Sequence, residues 1–87
     1  MTYKRFEWIK NGDFIEYAGD AYLIQLHKID RGYIVLLFGF YDPSHIPVDF
    51  DDKGIKGLKE AKKRGLELLV KHLSEVLSNV HKSLTTV

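Results

Sequence analysis

The stretch "AYLIQLHKIDRGYIVLLFGFY", residues 21–41, contains two long apolar segments on either side of the short polar sequence Asp30-Arg31-Gly32. Both segments are rich in β-branched and aromatic residues, which favour β-strands. Gly32 can adopt the left-handed backbone conformation that closes a three-residue hairpin loop. The stretch therefore predicts an antiparallel β-hairpin.

Successive residues of these two segments point to opposite faces of the sheet. Both faces are largely apolar, as the neighbours Leu23 and Ile24 and the neighbours Val35 and Leu36 illustrate. A sheet face in contact with water shows cleaner alternation between polar and apolar residues. We therefore expect something beyond a single helix to cover the second face.

The residues before the hairpin continue the same pattern. Aromatic and β-branched residues are dense from residue 3 onward, and turn sequences occur at residues 11–13 and 18–20. This pattern predicts an antiparallel sheet of three to four strands over about residues 3–41.

An acidic segment, "YDPSHIPVDFDDKG" at residues 41–54, follows the predicted strands. Pro43 and Pro47 exclude a helix, so we predict a loop over residues 42–53, in which "IPVDF" either adds a short edge strand or crosses the sheet. Asp51 and Asp52 are expected to cap the next helix. A metal site is the alternative, and its ligands would be Asp42, His45, Asp49 and Asp51. Because the spacing matches no calcium-loop pattern, we expect neither a metal nor a cofactor.

Periodicity predicts one long helix over about residues 54–83. Apolar residues fall on one side of this helix, which we expect to be the core face; they are Ile55, Leu58, Leu66, Leu69, Val70, Leu73, Val76, Leu77, Val80 and Leu84. Gly65 costs about 1 kcal/mol in a helix interior, which indicates either the close approach of another backbone or weak selection at an exposed turn.

The predicted helix is longer than the sheet beneath it. About 30 helical residues span about 45 Å, whereas strands of about eight residues span about 26 Å. The C-terminal turns should therefore extend past the sheet and expose Val76, Leu77, Val80 and Leu84. Because an exposed apolar helix end favours association with a second copy, we expect a homodimer through these residues.

Basic residues are concentrated at the start of the helix. The sequence allows three interpretations: a solvated face, a rim around a protein partner, or a set of phosphate contacts. The residues available for phosphate contacts are Lys53, Lys56, Lys59, Lys63 and Arg64.

Composition limits the class of protein. The chain has 87 residues, no cysteine and a net charge of +1, which fits a single domain in a reducing compartment. The N-terminal sequence does not read as a signal peptide and no segment is apolar enough to span a membrane, so we expect a cytoplasmic protein without membrane contacts. Because its four histidines are scattered and no catalytic motif is present, we expect that it is not an enzyme.

The segment "YLIQLHKIDRGYIVLLF", residues 22–38, precedes a polar loop and the helix "GLKEAKKRGLELL", residues 57–69. This order resembles small β-β-β-α proteins encoded by phages and mobile elements. The step formed by Leu58, Glu60 and Ala61 is similar to the helix start of HicB-type antitoxins, and the outline is similar to integrase arm-binding domains, which read DNA through the sheet. The chain lacks the glycine-rich loop of HicB proteins and has few arginines in its strands, so neither resemblance transfers a functional residue.

The sequence favours a non-enzymatic interaction protein, dimeric through its helix, that binds or inhibits another protein and is encoded by a phage or mobile element. Aromatic side chains provide the candidate anchors for a partner, namely Trp8, Tyr22, Tyr33 and Tyr41. The alternative is a small nucleic-acid-binding (DNA-binding) module that uses the basic start of the long helix.

Overall fold

The computed structural model describes residues 6–19, 21–39 and 46–86. These residues form a five-stranded antiparallel sheet followed by one long C-terminal helix, which confirms the predicted α+β class with one strand more than the three to four expected. The elements are β1 (Trp8–Asn11), β2 (Phe14–Ala18), β3 (Tyr22–Ile29), β4 (Gly32–Gly39), β5 (Asp49–Ile55) and α1 (Leu58–Thr85). Each strand pairs with the next one along the chain, so the sheet order is β1-β2-β3-β4-β5.

The predicted hairpin is the centre of this sheet. Ile29 of β3 pairs with Gly32 of β4, so the loop contains two residues rather than the three expected. Gly32 has a φ of +127°, and a Cβ at this position would overlap the carbonyl group of Ile55. The glycine is therefore required by the close passage of the end of β5 as well as by its own backbone conformation.

Strand β5 lies mostly in the segment predicted as a loop, and it overlaps the short edge strand allowed at "IPVDF" only at residues 49–50. Aspartate and glycine have a low preference for strands, so its sequence "DFDDKGI" does not resemble one. Pairing with the edge of β4 forms the strand nevertheless, with an irregularity in register between Tyr33 and Val35. The expectation that Asp51 and Asp52 cap the helix is wrong, because both lie in β5 and the residue that precedes the helix is Gly57.

The core lies between the sheet and the first half of α1. Its buried hydrophobic side chains come from the two central strands and the helix: Ile24, Leu26, Val35, Leu37, Ala61 and Leu68. The two central strands thus bury the alternate residues that face the helix, as the period-two pattern of the hairpin requires.

Small residues of α1 contact the sheet. Ala61 and Gly65 are buried, and a Cβ added to Gly65 would lie 2.7 Å from Cγ2 of Ile24 and 3.4 Å from Cγ1 of Val35. The close approach indicated by this mid-helix glycine is present, although the neighbouring atoms belong to side chains of β3 and β4 rather than to another backbone. The absence of a side chain at Gly65 lets the helix axis lie close to the sheet.

The predicted core face of the helix is wrong for three of the residues that lie before the predicted overhang. Leu58 and Leu69 pack against the core, and Ile55 does so from β5, but Leu66, Val70 and Leu73 are exposed. The four residues of the predicted overhang are exposed, as expected: Val76, Leu77, Val80 and Leu84. The helix is oriented about its axis so that its small residues, rather than most of its leucines and valines, contact the sheet. Helical periodicity alone predicts that the larger side chains face inward.

The helix extends beyond the sheet, as its length predicted. The last ring contact between the two is that of His72 with Tyr22, whose ring centroids are 5.3 Å apart. From Leu73 to Thr85 every residue of the helix is exposed. The whole of α1 contains 28 residues and spans about 42 Å, whereas the eight residues of β3 span about 26 Å.

We predict that Gly65→Ala destabilises the protein by about 1–3 kcal/mol, because the new methyl group collides with the stiff β-branched side chain of Ile24. Intrinsic helix propensity predicts the opposite sign, a gain of about 1 kcal/mol. Chemical denaturation of the two proteins measures the difference.

Two controls accompany this test. The Gly65→Ala substitution should cost less in an Ile24→Ala background, where the colliding methyl group is absent. Ser78→Ala, at an exposed helical position, should be neutral or slightly stabilising. A stabilising effect of Gly65→Ala would contradict the close approach.

Candidate functional site

One side of α1 carries a continuous row of exposed apolar residues, which we call the outer stripe: Leu66, Val70, Leu73, Leu77, Val80 and Leu84. Exposed fractions within the row reach 63% at Val70, 59% at Leu77 and 66% at Leu84. The spacing alternates between four and three residues, which is the pattern that forms a helix–helix seam. The row is unusual on a water-exposed helix, where single apolar residues are common but aligned ones are not.

The outer stripe and the sheet-facing side of the helix are distinct. Ala61, Gly65 and Leu68 face the sheet. At about 100° per residue, the outer stripe lies about a third of a turn away from this side. Docking of the helix on the sheet therefore leaves the outer stripe in contact with water.

The four residues predicted to form a dimer interface are all exposed: Val76, Leu77, Val80 and Leu84. Three of them belong to the outer stripe, whereas Val76 lies on the line of the sheet-facing residues, beyond the end of the sheet. Leu66, Val70 and Leu73 were not predicted to be exposed, because helical periodicity placed them on the core face. The small residues at positions 61 and 65 are the signal that indicates their exposure, since two small residues one turn apart mark a side on which a helix packs closely.

Charged residues border the N-terminal half of the outer stripe. A shallow groove of about 690 Å³ runs along it, and its lining residues are Lys59, Lys63, Leu66, Glu67, Val70 and Lys71. The aliphatic stems of the lysines can cover apolar surface while their ammonium groups stay in water. The groove thus combines an apolar floor with charged edges, the arrangement expected at the rim of a protein contact.

The basic residues proposed for phosphate contacts differ in their surroundings. Nε of Arg64 donates a hydrogen bond to Oδ2 of Asp51 over 2.8 Å, which joins α1 to β5. This hydrogen bond lowers the pKa of Asp51 against the opposing effect of burial, with help from the backbone N–H of Lys53, and the same bond raises the pKa of Arg64. Arg64 is therefore engaged within the fold, whereas Lys53, Lys56, Lys59 and Lys63 are exposed.

Three of the four aromatic residues proposed as partner anchors lie on the helix side of the sheet. Trp8, Tyr22 and Tyr33 are half-buried and pack against the core. The ammonium group of Lys62 lies 5.7 Å from the Trp8 ring centre, and that of Lys28 lies 4.8 Å from the Tyr33 ring centre. These contacts give all three rings a role within the fold. Tyr41 lies outside the described residues.

The face of the sheet opposite the helix contains a polar group in a mainly apolar surface. Glu16 is 4% exposed and accepts a hydrogen bond from Nδ2 of Asn11 over 2.9 Å. Its second carboxyl oxygen is buried and makes no hydrogen bond within the structure described. Nearby on the same face, Nε2 of His27 and Oε1 of Gln25 are 2.9 Å apart.

This face is only partly shielded. Phe50 of β5 is 56% exposed, and its partner Leu36 in β4 is half-buried. Leu23 of β3, on the same face, is also half-buried. The expectation that another element covers this face stays a prediction.

Within residues 6–19, 21–39 and 46–86, no group of three or more histidine, aspartate or glutamate side chains is arranged to hold a metal ion. Asp51 of the alternative metal set is paired with Arg64, and Asp42 and His45 lie outside the described ranges. His27 and His72 occupy opposite faces of the sheet, stacked on Phe14 and packed against Tyr22 respectively, so they form no common site.

Comparison of the chain with models of known protein families, with curated proteins and with solved structures found no match. In the described part of the chain, no helix combines the length and the apolar character needed to cross a membrane.

We predict that Asp51→Asn lowers the free energy of unfolding by about 1 kcal/mol at neutral pH, a modest value because Arg64 is partly exposed. The folded-state pKa of Asp51 lies below its ordinary value of 3.8. The contribution of the pair is therefore fully present above that value and is lost as the pH falls through the lowered folded-state pKa. Denaturation of both proteins over a pH series should show the difference shrinking below 3.8.

Asp52→Asn makes the same chemical change at the adjacent, exposed position and should leave stability nearly unchanged at every pH. Equal effects of the two substitutions would show that the Asp51–Arg64 pair contributes nothing specific.

A second prediction concerns Glu16. Glu16→Gln should raise the free energy of unfolding by about 1 kcal/mol or more, because it keeps an acceptor for Asn11 and removes the charge of a buried carboxylate that has an unpaired oxygen. Thermal melting measures the change. Glu75→Gln, at an exposed helical position, should have little effect, and a lower melting temperature for Glu16→Gln would contradict this account.

Proposed function

We propose that this chain is a non-enzymatic interaction protein that forms a homodimer through the outer stripe of α1. The observation that supports this most directly is the exposure of six aligned leucine and valine side chains on a helix whose other side already packs on the sheet. Burial of one such side chain contributes about 1.5–3 kcal/mol. The row therefore offers enough apolar surface to support association after the entropy cost of binding.

A second copy of the chain is the simplest occupant of this surface. All six positions of the outer stripe are apolar and uncharged, so they do not require a partner of particular charge. Their alternating spacing is the one at which two helices interlock side chains along a seam. A two-fold dimer satisfies both surfaces at once, because the same patch is buried on each copy.

Protein contact is favoured over the other activities considered. His27 and His72 are held apart on opposite faces of the sheet, which gives no support for shared acid–base catalysis. Of the five basic residues predicted to contact phosphates, Arg64 is instead held in an ion pair with Asp51. We therefore propose that the dimer acts by binding another protein, in line with the apolar surface around Phe50 on the open face of the sheet.

The test of self-association is light scattering on the purified chain, which should give the mass of a dimer at micromolar concentration. Replacing both Leu77 and Val80 with glutamate should give a monomer, because the dimer would have to bury four carboxylates in an apolar seam. The variant should remain folded by circular dichroism, since both residues lie beyond the sheet.

The matched control places two glutamates in the same part of the helix but outside the outer stripe, with Ser78→Glu and Asn79→Glu. This variant adds the same charge and should remain a dimer. A monomeric mass for the unmodified chain would refute the proposed function.

A further inference from the structure

We infer that the two helices of the dimer run antiparallel, with a two-fold axis passing beside position 75. This inference rests on the proposed function and adds the geometry of the contact. The three layers on each side of the axis then pair Leu73 with Leu77, Val70 with Val80, and Leu66 with Leu84 of the second copy. The intervals along the outer stripe are the same in either direction, so each of its residues meets another.

The apolar spacing alone also permits a parallel pair, and the lysines discriminate between the two. Lys59 and Lys63 continue the same alternation of four and three residues at the N-terminal end of the stripe. In a parallel pair each of these lysines would face the same lysine of the second chain, and such contacts between like charges are unfavourable. Two consecutive layers of the seam would then be repulsive.

The antiparallel arrangement removes this conflict. It places Lys63 opposite the end of the partner helix, whose unpaired carbonyl groups carry partial negative charge and favour cations. It also places Glu67 of one helix near His81 of the other. The lysines that would repel one another in a parallel pair therefore face no like charge in the antiparallel pair.

The position of the sheet along each helix also favours the antiparallel arrangement. Residues 58–72 of each helix run along the sheet, whereas residues 73–85 extend past it. With the axis beside position 75, the extension of one copy lies along residues 65–77 of the other, most of which are held by their own sheet. In a parallel pair the two extensions would lie only against each other.

The natural absence of cysteine allows this geometry to be tested by disulfide formation. Val70→Cys and Val80→Cys are prepared separately, one of them with ¹⁵N labelling, and mixed under mild oxidation. A disulfide requires the two Cα atoms to lie within about 7 Å. Because Val70 meets Val80 only in the antiparallel pair, the mixture should yield linked species containing one chain of each kind, and neither variant alone should cross-link.

Leu66→Cys and Leu84→Cys form a second test pair at the ends of the seam, should the first pair disturb folding. Light scattering under reducing conditions establishes that each mixture is dimeric before oxidation.

Mixed disulfides support the antiparallel pair. Disulfides formed by each variant alone would overturn it in favour of a parallel dimer and leave the proposed function intact, whereas a dimer that forms no disulfide in either mixture would overturn pairing through the outer stripe. A monomer of the unmodified chain would overturn both proposals.

Discussion

The close approach of α1 to the sheet at Gly65 is the constraint on which the rest of the structure depends. No other residue type leaves room for the Cγ2 methyl group of Ile24 at this distance. Together with Ala61, the glycine fixes which side of the helix faces β3 and β4, and therefore which side faces water. A small residue in the middle of the helix thus determines which side of the helix is exposed, at a cost in helix propensity of about 1 kcal/mol.

The consequence for function is that most of the larger apolar side chains of the helix remain exposed to water. A helix that buried its leucines against the sheet would leave a polar outer surface. Here, small residues and three leucines of the helix complete the core, and the outer stripe is left exposed to water. The ion pair between Arg64 and Asp51 reinforces this orientation, because it ties the opposite flank of the helix to β5. One arrangement of the helix therefore underlies both the stability of the fold and the proposed interface.

The central hairpin could be predicted from the sequence because alternation along Tyr22–Ile29 and Gly32–Gly39 matches the strand period. The length of the helix and its exposed end could also be predicted, since both follow from the run of helical periodicity. The rotation of the helix could not, because hydrophobic periodicity weights leucine above glycine, whereas close packing selects the smaller residue at Gly65. Only the start of β5 could be anticipated, as the short edge strand allowed at residues 46–50. Its aspartates disfavour a strand locally, and pairing with β4 and the contact of Asp51 with Arg64 stabilise it.

Amide hydrogen exchange, followed residue by residue at two protein concentrations, tests most directly whether the helix is held by the sheet in its first half and by a second copy in its second half. Residues 58–72 should be protected at both concentrations, because they pack on the sheet of their own chain. Residues 73–85 should be protected at the high concentration and exchange rapidly once dilution dissociates the dimer. Exchange of residues 73–85 that does not depend on concentration would contradict the account.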